Sequence, residues 1–261
     1  MWTAERKLEA ALEAPFGRTG RTYVRDDTRI ITRPGWYQVV TPSARTYLNE
    51  VLLSQLDEAD AERVIDETIA MYRQHGVRMK WSVGPQTRPA DLGERLRRRG
   101  FESIPLRGMG IDTAVSLAAD APDVTVEEVD AQSVEGFVRT TVSGWAMAQD
   151  QIEIEVRLHA ALLARVPQDV HLFGAKVDGE WAGTAALVLR DGYGYFVGGQ
   201  VLERMRRRHV YTALLAERLA FLRERGFDYA VTHALEATAA PVLERLGFET
   251  LFEATSWSLA P

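Results

Sequence analysis

The chain has 261 residues, no cysteine and a formal net charge of −6, from 31 Lys and Arg against 37 Asp and Glu. Without cysteine, disulfides, thiolate catalysis and zinc–sulfur sites are excluded, which fits a reducing, cytoplasmic setting. The acidic balance argues against nucleic acid as a partner, because no basic surplus exists to release phosphate counterions. Nor is there an apolar run of membrane length or the apolar core of a signal peptide, so no membrane partner is expected. The five histidines show no paired ligand spacing, so no metal site is expected.

The first fourteen residues predict an amphipathic helix, with Trp2, Leu8, Ala11 and Leu12 on one face. Strands are predicted over Arg29–Thr32 and Trp36–Val40, split by Pro34-Gly35, and a further one over Leu48–Leu53. Ala59–His75 has Val64, Ile65, Ile69 and Tyr72 at helical spacing, and Val77–Val83 reads as a strand ended by Gly84-Pro85. Pro89 opens a helix that runs through Leu92 and Leu96 to Gly100, and a strand follows from Phe101 to about Asp112. Thr113–Asp123, rich in Ala, Asp and Ser, reads as a linker.

A second cycle begins with a strand at Val124–Val129 and helices at Gln132–Val142 and Gln151–Val166. Three strands follow, His171–Val177, Trp181–Leu189 and Tyr193–Val201, separated by the hairpin pairs Asp178-Gly179 and Asp191-Gly192. A long helix is predicted over His209–Gly226, then a strand at Phe227–Thr232, a short helix at Ala237–Leu246 and a last strand at Phe248–Ser258. Gly93–Glu102 and Val242–Glu249 echo one another, each a short helix passing through Gly-Phe into a strand, which suggests a tandem duplication.

The stretch Gln200–Leu215 holds the strongest chemical signal. A strand-to-helix turn directs free N–H groups and the positive end of the helix dipole at one point, which suits an anion. Arg206, Arg207 and Arg208 strengthen that field, and as cations at a helix N-terminus they are better tolerated with an anion bound. Other readings are weaker. Trp36, Trp81 and Trp145 either line an apolar cleft or, as large aromatics usually do, fill the core. Glu153 and Glu155 have only a weak claim on a cationic substrate. There is no Gly-x-Ser-x-Gly elbow and no Gly-x-x-x-x-Gly-Lys phosphate loop.

The order of hairpin strands, phosphate-type turn, long helix, strand, short helix, Gly-Phe and strand resembles the GNAT family of acyl-CoA-dependent N-acetyltransferases. The likeness is clearest over Val124–Trp257. Val201–Leu215 resembles that family's pyrophosphate-binding turn, and Ala234–Phe248 its late helix and Gly-Phe corner. The N-terminal half, through Trp81–Pro85 and Phe101, resembles the degenerate first repeat of tandem members. The resemblance implies an α/β fold of two GNAT-like mixed sheets flanked by helices, in tandem, divided as residues 1–115 and 123–261. It implies acetyl-CoA as co-substrate and acyl transfer to an amine of a small molecule, and it leaves a homo-oligomer open.

In that family the turn reads Arg/Gln-x-x-Gly-x-Gly/Ala. Here Arg206 keeps the first position, while His209 and Tyr211 stand where small residues are usual. A Cβ at either position opposes close approach of a phosphate, and a left-handed backbone there adds about 1–2 kcal/mol of strain. The resemblance assigns cofactor contacts to Val201, Leu202, Arg206, Arg207, Arg208, His209, Val210 and Tyr211. The family's acid tyrosine corresponds to Leu243, which cannot transfer a proton. Tyr195 falls near the position of the usual base, with His233 and Glu236 as further candidates. These departures leave a second reading open. It is a GNAT-derived protein that has lost acetyl transfer and catalyses another reaction, such as decarboxylation or rearrangement, or only binds a ligand in the same cleft. A third, a partner-binding module, needs an exposed apolar face.

Overall fold

A computed structural model describes residues 2–21, 25–43, 48–117 and 121–261, with the main chain alone for 17–21. The middle of the predicted linker, residues 118–120, lies outside them. The chain divides into two compact units that do not follow chain order. One contains Met1–Trp2 and Gly110–Thr232, the other Thr3–Met109 and His233–Pro261.

In the second of these, the strand order is β1 (Arg29–Arg33), β2 (Trp36–Val40), β3 (Glu50–Ser54), β4 (Met79–Val83), β11 (Glu249–Leu259) and β5 (Glu102–Asp112). β3 and β4 run parallel, whereas β4 and β11 run antiparallel with Trp81 opposite Trp257. The helices are α1 (Ala4–Arg21), α2 (Ala61–Gln74), α3 (Leu92–Arg98) and α7 (Ala239–Arg245). α2 turns Ile65, Ile69 and Tyr72 inward, one face at helical spacing, against Trp36, Met79, Trp81, Leu96 and Trp257. Trp36 and Trp81 meet edge to face at 5.7 Å, so these two tryptophans are core residues. Their N–H groups are satisfied internally, by Gln38 Oε1 at 3.1 Å and Ser54 Oγ at 3.0 Å. Outside the core, Arg95 binds Glu58, Glu62 and Asp91, and Arg99 binds Glu62 and Asp66.

The two helix ends that echo in sequence match in geometry. Gly100 (φ +85°) and Gly247 (φ +95°) end α3 and α7 in left-handed conformations. In each, the next residue's N–H returns to the carbonyl five back, Phe101 to Leu96 and Phe248 to Leu243. Glycine is required for that reversal, and the phenylalanine it delivers is buried.

The first unit carries β6 (Val124–Glu128), β7 (Val170–Val177), β8 (Glu180–Arg190) and β9 (Tyr193–Val201) as an antiparallel run, with β10 (Tyr229–Leu235) parallel to β9. Asp178 and Gly179 both have positive φ, as a two-residue hairpin turn demands. Successive β8 residues show the two covered faces. Gly183 lies under Val210 and Leu214 of α6 (Val210–Glu224), while Thr184 bonds Thr141 of α4 (Val134–Gly144). α5 (Ile152–Leu163) packs on α4 and settles the geometry of Glu153 and Glu155 as helical. Glu155 is buried beside His159, and Trp145 is 51% exposed at the end of α4. The mixed α/β architecture is thus that of sheets flanked by helices. No described helix is long and apolar enough to cross a membrane.

Two expectations follow. A Cβ on Gly108 of β5 would sit 2.1 Å from the Phe252 ring of β11, so Gly108→Ala must displace that ring. It should destabilise by roughly 1–3 kcal/mol in a denaturant titration. His159 is almost fully buried and packs 5.6 Å from Phe137, with Nδ1 donating to the Glu155 carbonyl at 2.7 Å. Burial lowers its pKa below 6.5 in the folded state. The neutral ring therefore supports the fold above that value, and support is lost as pH falls through the folded pKa. Stability measured from pH 7 downward should decline less in His159→Leu than in the native chain.

Candidate functional site

β9 pairs with β10 over only three residues, Gly194–Phe196 against Ala230–Thr232. The Thr232 hydroxyl donates to the Phe196 carbonyl at 2.9 Å and closes this short ladder. Beyond it, β9 stays on β8 alone. The β8–β9 register passes from Ala186↔Val197 to Thr184↔Gln200, so Gly198 and Gly199 together face the single residue Ala185. This is a bulge, and Gly198 adopts φ +63°, which glycine permits without strain. The Leu202 N–H donates to Ala182 O at 2.8 Å. By strand alternation, the main-chain groups of Val201 face the other way, onto the open edge.

Leu202 leads through a short 3₁₀ turn, Glu203–Met205, into the segment before α6. Arg207 (φ +65°) and His209 (φ +57°, ψ 10°) both take the left-handed conformation that glycine favours. The backbone shape of a glycine turn is therefore kept by residues with side chains, at about 1–2 kcal/mol each. The N–H groups of Arg207, Arg208, His209, Val210, Tyr211 and Thr212 bond to no described residue. α6 has no side-chain cap and no acidic residue in its first turn. Six unsatisfied donors at a helix N-terminus are the chemistry that suits an anion, and this segment is termed the cradle.

The arginines divide into two roles. Arg206 and Arg207 are exposed and form no ion pair with any described residue. Arg208 turns back to Asp178 and Asp123, hydrogen bonds that raise its own pKa and lower that of Asp123. Arg208 is thus an anchor for the turn rather than a free cation. His209 is exposed. The Tyr211 ring lies over Gly199, where a Cβ would be 3.2 Å from the ring and 4.0 Å from its hydroxyl. The bulk at position 211 is therefore directed at the strand. Val210 is buried under the sheet and offers its N–H alone. Leu202 has its N–H committed to Ala182, so of the two residues expected to hold an extended ligand arm, Val201 has the outward-facing groups.

Of the expected proton-transfer residues, Tyr195 shares the compact unit of this turn and the others do not. Tyr195 is a buried β9 residue paired with Val188 and Val231. His233 and Glu236 belong to the other compact unit. His233 is half-buried with its ring 5.6 Å from Phe252, and Glu236 accepts from Arg107 at 3.1 Å. Leu243 is buried in α7. Among the described residues no cluster of metal-ligating side chains occurs. Two features escaped the sequence reading. The Gly198-Gly199 pair inside a strand signals a bulge, and Arg218 falls on the buried face of α6, four residues from Leu214 and from Leu222.

A short strand pairing, a glycine bulge and a row of unbonded N–H groups before the next helix thus follow one another along an α/β domain. Residues 137–248 match the model of the acetyltransferase (GNAT) family. This segment is therefore similar to a GNAT acetyltransferase domain, and the fold of the chain is that of the GCN5-related N-acetyltransferases. Solved structures with this fold include a functionally unknown conserved protein from Staphylococcus epidermidis (TM-score 0.71, 14% identity, 93% of this chain and 98% of that one). Others are a GCN5-related N-acetyltransferase from Kribbella flavida (0.67, 17%, 99% and 96%) and a tandem GNAT protein from the clavulanic acid biosynthesis pathway (0.62, 15%, 98% and 94%). A search of curated protein sequences gives no significant match.

The strained turn gives an expectation. His209→Gly removes a Cβ from a left-handed position, and should raise stability by about 1 kcal/mol while leaving the turn intact. A denaturant midpoint that falls instead would show that the imidazole makes contacts worth more than the strain.

Proposed function

We propose that the chain is an acyl-CoA-dependent N-acyltransferase that moves an acetyl group from acetyl-CoA to an amine of a small molecule. The observation that carries this reading is the cradle of six unbonded N–H groups at Arg207–Thr212, flanked by the unpaired Arg206 and Arg207. It fits a pyrophosphate, and the open edge at Val201 fits the amide-bearing arm that would follow. His209 keeps the left-handed backbone that a glycine would take there, which favours retained donor binding over its loss. The match of residues 137–248 to an acetyltransferase family supports the same donor.

Within this reading, residues 1–115 are a degenerate first repeat and residues 123–261 the catalytic one, although His233–Pro261 packs with Thr3–Met109. Catalysis is mainly positioning, with His233 or a bound water accepting the amine proton. Glu236 is the weaker base because its carboxylate is held by Arg107. Tyr195 is the weakest, being buried in the ladder.

Calorimetric titration of the whole chain with acetyl-CoA tests the reading. Micromolar to millimolar binding is expected, weakened roughly 10- to 100-fold by Arg206→Ala or Arg207→Ala, the scale of one charge-assisted hydrogen bond. Absence of both heat and thermal stabilisation at millimolar acetyl-CoA would sink it.

A further inference from the structure

His233–Leu235, the last residues of β10, share a compact unit with Glu102–Met109 of β5 and with β11. Glu236 N–H donates to Pro105 O at 3.1 Å, and Thr113 N–H to Asp228 O at 3.0 Å. One strand ascends while the other descends, so the neighbours β5 and β10 are antiparallel, with Leu235 opposite Leu106 and His233 opposite Gly108. Opposed residues of such a pair share one face of the sheet, as do residues two apart on a strand. His233, Leu235, Ile104, Leu106 and Gly108 therefore line one face. Arg107 and Glu236 fall on the other, where they bond one another and Arg107 reaches Glu244 of α7. The Phe252 ring of β11 lies over Gly108, where a Cβ would be 2.1 Å from it, and stands 5.6 Å from the His233 ring. The absent side chain thus admits an aromatic ring to the row beside the imidazole.

This row is apolar and open. Five large hydrophobic side chains among the described residues are exposed, and two of them, Ile104 at 49% and Leu235 at 42%, stand here on adjacent strands. Leu106 and Phe252 beside them are only partly buried. The other three are scattered, Ile30 on β1, Trp145 at the end of α4 and Val166 in the loop before β7. Single exposed apolar residues are ordinary, whereas a contiguous group marks a place that something apolar covers. Half-buried His233, proposed above to accept the amine proton, stands at the inner end of the row. Apart from its imidazole, the row offers no hydrogen-bonding side chain. A sugar or a polyamine laid along it would leave hydroxyl or ammonium groups unpaired, and an alkyl or aryl group leaves none. From Gly108 to Ile104 the strand runs about 13 Å, room for a chain of several carbons or for a ring.

We propose that Ile104, Leu106, Leu235 and Phe252 seat the apolar body of the acceptor, so that the chain acylates a primary amine borne on an alkyl or arylalkyl group. The inference rests on the acyl-CoA reading above and takes His233 as the place where the nitrogen lies. Ile104 and Leu235 are then specificity-determining residues, which meet the acceptor's body and not its nitrogen. A row that binds by burial alone discriminates by length, because each CH₂ taken out of water adds to affinity until the row is filled.

The test is a series of unbranched primary amines from ethylamine to octylamine, with phenethylamine, ethanolamine, glucosamine and putrescine beside them, assayed with acetyl-CoA on the whole chain. The value of kcat/KM should rise about two- to fourfold per added CH₂ and level off near the length of the row. Phenethylamine should exceed ethanolamine and putrescine by at least about tenfold. Ile104→Ser and Leu235→Ser alter exposed residues, and each should flatten the rise with length while the Kd for acetyl-CoA, measured by calorimetry, is retained. Rates that are flat with chain length, or highest for the hydroxylated or dibasic amines, overturn the inference and leave the acyl-CoA reading standing. The native series decides this even where a variant does not fold. A dimer in sedimentation that either serine variant dissolves also overturns it, since the row would then be a contact between copies of the chain. If acetyl-CoA is neither bound nor consumed, the acyl-CoA reading itself has failed and takes the inference with it.

Discussion

The short parallel ladder between β9 and β10 is the constraint on which the rest of the site depends. Three residue pairs, closed by Thr232 on the Phe196 carbonyl, hold the strands together, and the bulge at Gly198-Gly199 turns β9 away beyond them. A longer ladder would have consumed the edge groups of Val201. The open edge of β9 is thus the result of one strand leaving its neighbour early.

The turn shows how a left-handed backbone is held without glycine. Glycine lowers the cost of a left-handed backbone but does not create it. At Arg207 and His209 the conformation is imposed from outside, by the 3₁₀ turn at Glu203–Met205, by burial of Met205 and Val210, and by Arg208 clamped to Asp123 and Asp178. The strain is stored where unbonded N–H groups are concentrated, as is common at ligand sites. A cradle fixed in this way does not have to be ordered by its ligand, which reduces the entropic cost of binding.

Most elements were legible because their punctuation is local. Gly76, Gly100, Gly226 and Gly247 each take positive φ after a helix, and the periodic stretches before them are the helices α2, α3, α6 and α7. β2 and β9 run over the residues expected of them, since alternation and flanking turns bound both. Pro89 misled by position, because it precedes α3 by three residues instead of opening it. What local pattern could not show is pairing at a distance. Nothing in Glu249–Leu259 says that it lies against Met79–Val83, and nothing in three adjacent arginines says which one turns back to Asp178. Arg218 was legible in principle from its place among leucines, but a charge at a core position is ordinarily read as a helix rim.

The antiparallel pairing of β4 with β11 has a consequence for how the chain comes into being. The unit begun by the first hundred residues needs a strand from the last thirty to cover one edge of β4 and to set Trp257 against Trp81. During synthesis that edge stays open until Glu249–Leu259 has emerged. Unpaired edges beside an apolar core invite wrong partners. Met79–Val83 is therefore made well before the strand that completes its sheet, and its waiting edge needs protection while the ribosome is still at work.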